Sequence, residues 1–378
     1  MRHLLACVFL LPALGAAELT VGPGQRFATP SAAAQAAHDG DTVSIAPGTY
    51  RGDVCIWTQS NLTLRAVGGT AELIADGRIA GGKAIWVLAG NNTTVEHVVF
   101  AGAACADRNG AGIRLEGSGL IVRACRFHDN QDGILTAPGA ESDVVIEGCE
   151  FTHNGAGDGY SHNLYIGRIR SLLFRGNISR IAVVGHNLKS RAEKNLIIAN
   201  RLLDEADGTA SYTLDLPNGG LSIISGNQLQ KGAQSSNHGA MINFAEEGAS
   251  NTRQQVYVIN NTLVNDQAVP TVFINAAPTS VVVADNNLLL GAGQLCNLPL
   301  PAARANLQAG GTAVVDRVTY DYRLVPDAEV RDAGVDPGQV DGVALLPQWQ
   351  FDPLHGVLAR TTSGAAPDVG AWELSAKP

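Results

Sequence analysis

Charge is scarce in this sequence. Of its 378 residues, 16% are Asp, Glu, Lys or Arg and 5% are aromatic, with two methionines and four tryptophans. A disordered chain or a coiled coil carries far more charge, and the 45% hydrophobic content is enough to bury a sizeable core. Positive charge is in the minority, 26 Lys and Arg against 35 Asp and Glu, for a formal charge of −9. That balance argues against bulk attraction to nucleic acid or to an anionic membrane. Only the first residues, MRHLLACVFLLPALGAA, look like a membrane or targeting segment. A basic start, a short hydrophobic stretch and small residues at 15–17 read as a secretory signal peptide cleaved after Ala17, too short for a membrane span. The expected location is the periplasm or the exterior. Cysteine is also sparse. Beyond Cys7 there remain Cys55, Cys105, Cys125, Cys149 and Cys296, an odd set without metal-ligand spacing, in a chain long enough to fold without a disulfide framework.

Glycine is abundant, 43 residues, and so is repetition. The segments IVRACRF, VIEGCEF, LFRGNIS, IIANRLL, IISGNQL, VINNTLV and VADNNLL share one shape. An apolar β-branched run leads to a small or polar residue, then Asn or Cys, then a large apolar residue two positions on. The key positions are Cys125, Cys149, Asn177, Asn200, Asn227, Asn261 and Asn286, with Val98 as an earlier copy. Successive gaps are 27, 24, 28, 23, 27, 34 and 25 residues. Phe100, Phe127, Phe151, Ser179, Leu202, Leu229, Leu263 and Leu288 follow two positions later. Such gaps are too short for a βαβ unit with a full helix, but they fit two or three short strands per repeat with Gly- and Asn-rich corners. Each strand then pairs in parallel with its copy one repeat on, and stacking supplies the core that a single coil lacks. The predicted fold is all-β, a right-handed parallel β-helix. Inward Asn side chains at the corners are expected to hydrogen-bond to the Asn above and below. Cys125 and Cys149, in the same column, are expected to be stacked core thiols.

With this repeat the chain resembles the pectate-lyase-like right-handed parallel β-helix superfamily. Residues 20–50, TVGPGQRFATPSAAAQAAHDGDTVSIAPGTY, look like that group's opening cap, with a short helix at about 30–38 and GDTV–PGTY beginning the stack. Val330, Arg331, Asp332 and Gly334, then Pro367-Asp368-Val369-Gly370-Ala371-Trp372-Glu373, resemble the closing segment of bacterial members. The resemblance implies one β-helix domain over 18–378, with an N-terminal cap at 18–50 and the last coils and an irregular C-terminal cap at 295–378. It implies little about function, because this fold carries lyases, hydrolases, epimerases and binding proteins.

Residues 160–201 hold Arg168, Arg170, Arg175, Arg180, Lys189, Arg191, Lys194 and Arg201 against Glu193 alone. This reads as one basic stripe, suited to an acidic polysaccharide. Within it, SHNLYIGR (161–168) and GHNLKSRA (185–192) both carry His-Asn-Leu, one coil apart. Strand alternation puts Leu164, Ile166, Leu188 and Ser190 inward. It turns Asn163, Tyr165, Asn187, Lys189 and Arg191 outward. The next coils add Thr213 and Asp215, then Asn243, Glu246 and Glu247, to the same face. His162 and His186 stand just before these strands, at a corner or turned inward.

A uronate polymer cleaved by β-elimination needs a base for the C5 proton, neutralisation of the carboxylate and an acid for the departing O4. Lys189 is the candidate base if burial and Arg191 lower its pKa. Arg191, Asn187 and Asn163 are candidates to hold the carboxylate, and Arg168, Asp215 and Asn243 extend the binding face. Tyr165 is the candidate acid, with His186 or His162 as alternative acid or base. Lys189→Ala is expected to abolish turnover and leave folding intact. LKSRAEKNLIIANRL and LDLPNGGLSIISGNQL also look like the paired coils of alginate- and dermatan-type β-helix lyases. There the resemblance places a lysine base at Lys189, while the partner arginine's position falls on Asp215. No cofactor or metal is required by these residues. The resemblance to pectate-type members raises calcium, through Asp158, Asp204, Glu205 and Asp207, although no oxygen-ligand loop is recognisable. A hydrolase would need two carboxylates flanking the bond. A C5-epimerase or a non-catalytic polysaccharide binder are the other readings.

Overall fold

The computed structural model describes residues 15–300 and 303–375. The apolar run of the signal peptide, with Cys7, lies outside the described residues. Three parallel sheets wind around one core. The first has 11 strands, from Glu18–Val21 to Val281–Asp285; the second has 10, from Cys55–Trp57 to Gly293–Cys296; the third has 11, from Gly48–Arg51 to Leu307–Ala309. Each coil visits them in a fixed order, as in Leu120–Arg123 (first), Arg126–His128 (third) and Asp132–Thr136 (second). The register holds from coil to coil, so like residues stack: Phe100 on Phe127 and Phe127 on Phe151, with ring centroids 5.0 and 4.8 Å apart and planes 6° and 3° from parallel.

The corner between the first and third sheets explains the repeat. One residue takes a left-handed backbone, Gly148, Gly176, Ala199, Gly226, Asn260 or Asn286, and the next turns its side chain inward. Those inward residues form a ladder. Asn200 Oδ1 accepts from the Asn177 backbone N–H (2.8 Å), and Asn200 Nδ2 donates to Phe174 O (2.8 Å) and Asn227 Oδ1 (2.9 Å). Asn227, Asn261, Asn287 and Asn306 continue in the same manner. The ladder residue is therefore Asn287, not Asn286, and Leu289 rather than Leu288 pairs with Leu263. Asn286 is the left-handed residue that precedes it. Below Asn177, Cys149 N donates to Asn177 Oδ1 (2.8 Å) and Cys125 N to Cys149 Sγ (3.4 Å). Both cysteines are buried thiols without a disulfide.

A second ladder runs up the corner between the third and second sheets. Asn130 Nδ2 donates to Asn154 Oδ1 (2.9 Å), Asn154 Nδ2 to Asn163 Oδ1 (3.0 Å), Asn163 Nδ2 to Asn187 Oδ1 (3.2 Å) and Asn187 Nδ2 to Asp204 Oδ1 (3.0 Å). Asn163 and Asn187 are thus inside the solenoid, not on its surface. Strand alternation does not extend to them, because they belong to the corner, where buried backbone groups need side-chain partners.

Both ends are closed against edge pairing. Helix Pro30–Ala34, capped by Thr29 Oγ1 accepting from Ala32 N, buries Pro30, Ala33 and Ala34 over the first coil. It is shorter than the expected 30–38, and Glu18–Val21 ahead of it already pairs with Thr42–Ile45, so the stack begins before GDTV. At the other end, three two-stranded antiparallel hairpins follow Leu307–Ala309. Buried Arg360 donates to the carbonyls of Gly370 and Asp368 and to Glu373 Oε2 (2.9–3.0 Å), tying the closing segment together. No helix among the described residues is long and apolar enough to cross a membrane.

Candidate active site

The outer face of the second sheet brings the central residues together. Leu164, Ile166, Leu188, Leu214 and Leu216 fill the core. The residues between them stand outward in register: Tyr165 beside Lys189, Lys189 beside Asp215, Asp215 beside Asn243, and Asn243 beside Asn275. Asn275 Nδ2 donates to Asn243 Oδ1 (3.0 Å) and Asn243 Nδ2 to Asp215 Oδ1 (2.8 Å). Asp215 Oδ2 lies 3.0 Å from Lys189 Nζ. Asp215 is fully buried and Asn243 almost so, so both brace Lys189 rather than offer a surface to a ligand.

Arg191 follows the Lys189 strand, and its side chain turns back along the row. Its Nε donates to Tyr165 Oη (2.8 Å), Nη1 to Asn218 Oδ1 (2.5 Å) and Nη2 to Glu247 Oε2 (2.6 Å). The other Glu247 oxygen accepts from Lys189 Nζ at 2.9 Å. Tyr165, Lys189 and Arg191 therefore converge, with both cation centres 5.7–5.9 Å from the Tyr165 ring centroid. Glu247 was visible in the sequence only as one more acidic residue on this face. Its central place between the two cations was foreshadowed by the unusual 34-residue gap between Asn227 and Asn261, which lengthens its coil.

The electrostatics differ from the expectation for Lys189. Burial works against its charge, but Asp215 and Glu247 outweigh burial and raise its pKa above the ordinary lysine range. Lys189 is a charged ammonium here, not a primed base. Partial burial works against the Glu247 carboxylate, yet its hydrogen bonds to Lys189 and Arg191 hold its pKa low.

The two histidines are structural. Their rings stack 4.5 Å apart in a buried column. Asp132 Oδ1 accepts from His162 N (2.8 Å), His162 Nδ1 from His186 N (3.0 Å) and His186 Nδ1 from Tyr212 N (3.1 Å). An Nδ1 that accepts a backbone N–H carries no proton, which fixes the Nε2–H tautomer in both rings. His186 Nε2 lies 3.4 Å from Asp215 Oδ2. Burial lowers the pKa of His186 to about 4 and that of His162 well below the ordinary range. Neither has a free lone pair for base catalysis, and burial keeps both Nε2–H groups from a leaving oxygen, so the base and acid roles considered for His162 and His186 are withdrawn, as are the ligand contacts expected of Asn163 and Asn187.

The single basic stripe also dissolves. A coil visits all three sheets, so cations close in sequence end on different faces. Arg170 and Arg175 lie on the first sheet, Arg180 and Arg201 on the third, and Lys189 and Arg191 at the second. Acidic residues from adjoining coils pair with most of them: Arg170 with Asp143, Arg175 with Glu147, and Arg180 with Glu150 and Glu205. Arg168, half exposed, pairs with Glu193 and lines a groove of about 350 Å³ with Tyr165, Arg191, Arg114, Asp132 and Tyr160. This groove continues the site along the helix axis. Roomier grooves of about 670 and 680 Å³ lie along the edge between the first and third sheets, where Arg175 and Arg126 are already matched by Glu147 and Glu150.

The carboxylates considered for calcium do not assemble. Asp158 Oδ1 serves its own turn, accepting from Tyr160 N and Ser161 Oγ; Asp204 is buried against Asn187; Glu205 pairs with Arg180. Among the described residues, no group of three or more His, Cys, Asp or Glu is arranged to hold a metal.

Comparison with known proteins agrees with this architecture. No curated protein sequence matches the chain significantly. Among solved structures, the pectate lyase Pel9A superimposes with a TM-score of 0.69 at 15% identity, over 94% of this chain and 96% of its own. A rhamnogalacturonan lyase gives 0.53 at 13% identity, over 80% and 91%. At such identities the likeness is one of fold. The family described as right handed beta helix region matches residues 54–296, most of the stack, and the chain belongs to that family.

Proposed function

We propose that the protein is a secreted or periplasmic lyase that cleaves a uronate-containing polysaccharide by β-elimination on the outer face of the second sheet. The observation that carries this reading is the convergence of Lys189 and Arg191 on one carboxylate beside the Tyr165 hydroxyl. Arg191 neutralises the uronate carboxylate, which makes the C5 proton removable. Lys189 accepts that proton, the C4–O4 bond breaks as the C4–C5 double bond forms, and Tyr165 protonates the departing oxygen. Arg191 Nε donates to Tyr165 Oη, which leaves the phenolic proton available to the leaving group. The base step needs a neutral Lys189, so the ammonium that Asp215 and Glu247 hold in the resting site gives up its proton before it takes the one at C5.

The two carboxylates flanking Lys189 do not favour hydrolysis. A glycosidase acid needs a raised pKa, whereas Glu247 is held low and Asp215 is fully buried. One observation favours passive binding instead: a charged Lys189 attracts a uronate but cannot take its proton. Incubation with polygalacturonate, alginate, glucuronans and glycosaminoglycans separates the readings. Rising ultraviolet absorbance of an unsaturated uronate is expected. New reducing ends without absorbance mean hydrolysis, and retention without either means a binder. With turnover in hand, Arg191→Ala should raise KM and Tyr165→Phe should lower kcat.

A further inference from the structure

We propose that Glu247 is an internal stand-in for the ligand's carboxylate, so that an anionic sugar binds by displacing it; this rests on the reading of the second-sheet face as an acidic-polysaccharide site. Glu247 grips the site with both oxygens, one on Lys189 (2.9 Å) and one on Arg191 (2.6 Å). The charge balance of the site sets what can replace it. Lys189 and Arg191 bring two positive charges. Asp215 supplies one negative charge, fully buried and fixed by Asn243. One positive charge remains over, and Glu247 cancels it. A neutral sugar in its place would leave a partly buried cation uncompensated, which is costly, whereas one carboxylate restores the balance.

The loop that carries Glu247 is built to release it. Its far end is pinned: buried Asn251 Nδ2 reaches the carbonyls of Ala192 (3.0 Å) and Gly219 (3.2 Å), and Thr252 donates twice to Glu193 Oε2 (3.0 Å each). Its near end is fixed by Ala245 N donating to Leu216 O (2.9 Å). Between these anchors Glu246, Glu247 and Gly248 are exposed, and the Glu247 side chain is 48% accessible despite its two ion pairs. Glu247 N donates to Pro217 O (2.8 Å). Left-handed backbone at Ala245, Gly248 and Ala249 brackets the tip, so a change at few dihedrals swings the carboxylate outward. Lys189, at 7% exposed, is accessible only once that happens.

The test is binding rather than turnover. Wild type, Glu247→Gln and Glu247→Ala are titrated calorimetrically with oligogalacturonate, oligoalginate, oligoglucuronate and neutral dextran oligomers, and thermal melting checks that each variant is folded. Both variants should bind an anionic oligomer at least tenfold more tightly than wild type, with dextran unchanged. Wild-type binding of an anionic oligomer without tightening in either variant overturns the stand-in role and leaves the polysaccharide site in place. Tightening toward dextran as well would mean that Glu247 is merely a steric cover, which also overturns it. No anionic binding by any of the three proteins overturns both this inference and the function on which it rests.

Discussion

Replacing Lys189 by alanine will destabilise the protein, contrary to what its outward strand position suggests. The side chain is 7% exposed and its ammonium is 3.0 Å from the fully buried carboxylate of Asp215. Removing one partner of a buried pair costs about 3–5 kcal/mol, because the other charge is left unpaired. Here Asp215 keeps the Asn243 amide at 2.8 Å and the His186 Nε2 at 3.4 Å, so the low end, about 3 kcal/mol, is expected. Asp215→Asn should cost only about 1 kcal/mol, since Lys189 retains Glu247 at 2.9 Å. In the double variant no buried charge is orphaned, and the loss should fall below that of Lys189→Ala alone, with a coupling of about 2 kcal/mol. Urea midpoints at constant m-value, followed by far-ultraviolet circular dichroism, measure all four corners of the cycle. A loss under about 1 kcal/mol for Lys189→Ala, or a double variant that is simply additive, would refute the buried ion pair. The practical consequence is that Lys189→Ala confounds chemistry with folding, and the double variant is the proper catalytic control.

Three further outcomes follow from the packing. His186, with its pKa lowered from the usual 6.5 to about 4, stays neutral in the folded protein while the unfolded chain protonates. Its contribution is complete above pH 6.5 and is lost as the pH falls toward 4, about 3 kcal/mol in all. Nitrogen-15 shifts should show the Nε2–H tautomer of His162 and His186 at pH 5.5, and an imidazolium signal from either at that pH would contradict the column. Asn200→Ala orphans the buried Asn177 N–H and takes the corner bond from the Phe174 carbonyl, for a loss of about 1–3 kcal/mol, whereas Cys149→Asn extends the ladder and should change stability by under about 1 kcal/mol; thermal melting of the pair tests the contrast. Phe127→Ala, between two stacked rings, should cost about 3–5 kcal/mol, and a midpoint close to wild type would mean that the coils collapse around the gap.

The fold was legible because its determinant is periodic. An inward Asn at a corner is demanded by backbone groups that cannot reach water, so it recurs once per coil and can be counted along the chain. The one slip, Asn286 for Asn287, arose where the left-handed residue was itself an asparagine and a leucine stood two positions after either candidate. The outward row was legible for the same reason: Tyr165, Lys189 and Asp215 occupy equivalent strand positions. Alternation failed one residue before the strands, where Asn163 and Asn187 obey the corner's hydrogen bonding instead, while His162 and His186, one residue earlier, are buried as a corner or inward placement allowed. Charge failed differently. A window of about 40 residues spans more than one coil, so Arg170, Arg180 and Arg191 add up in sequence while facing three directions in space. Only residues one coil apart in the same phase measure a surface in such a fold. The pKa of Lys189 was out of reach as well, because Glu247 comes from a loop two rungs away.

That loop shows where a solenoid can acquire a site. In a regular coil nearly every residue is committed to a strand or to a corner ladder, and contacts run only to the coils directly above and below. Such a wall is flat and repetitive, and nothing in it can close over a ligand. Reaching across two rungs requires chain that the repeat does not use. The coil between Asn227 and Asn261 has it, 34 residues where the preceding intervals run from 23 to 28, and the surplus carries Glu247 back to Lys189 while Asn251 and Thr252 secure it to Ala192 and Glu193 on the Lys189 coil. The ladder passes through this coil unbroken, Asn227 to Asn261 at 2.9 Å, so the insertion adds a cover without disturbing the stack. The corners hold the stack, and the surplus between strands sets the charge balance of the outer face, where the Lys189–Asp215 pair also contributes to stability.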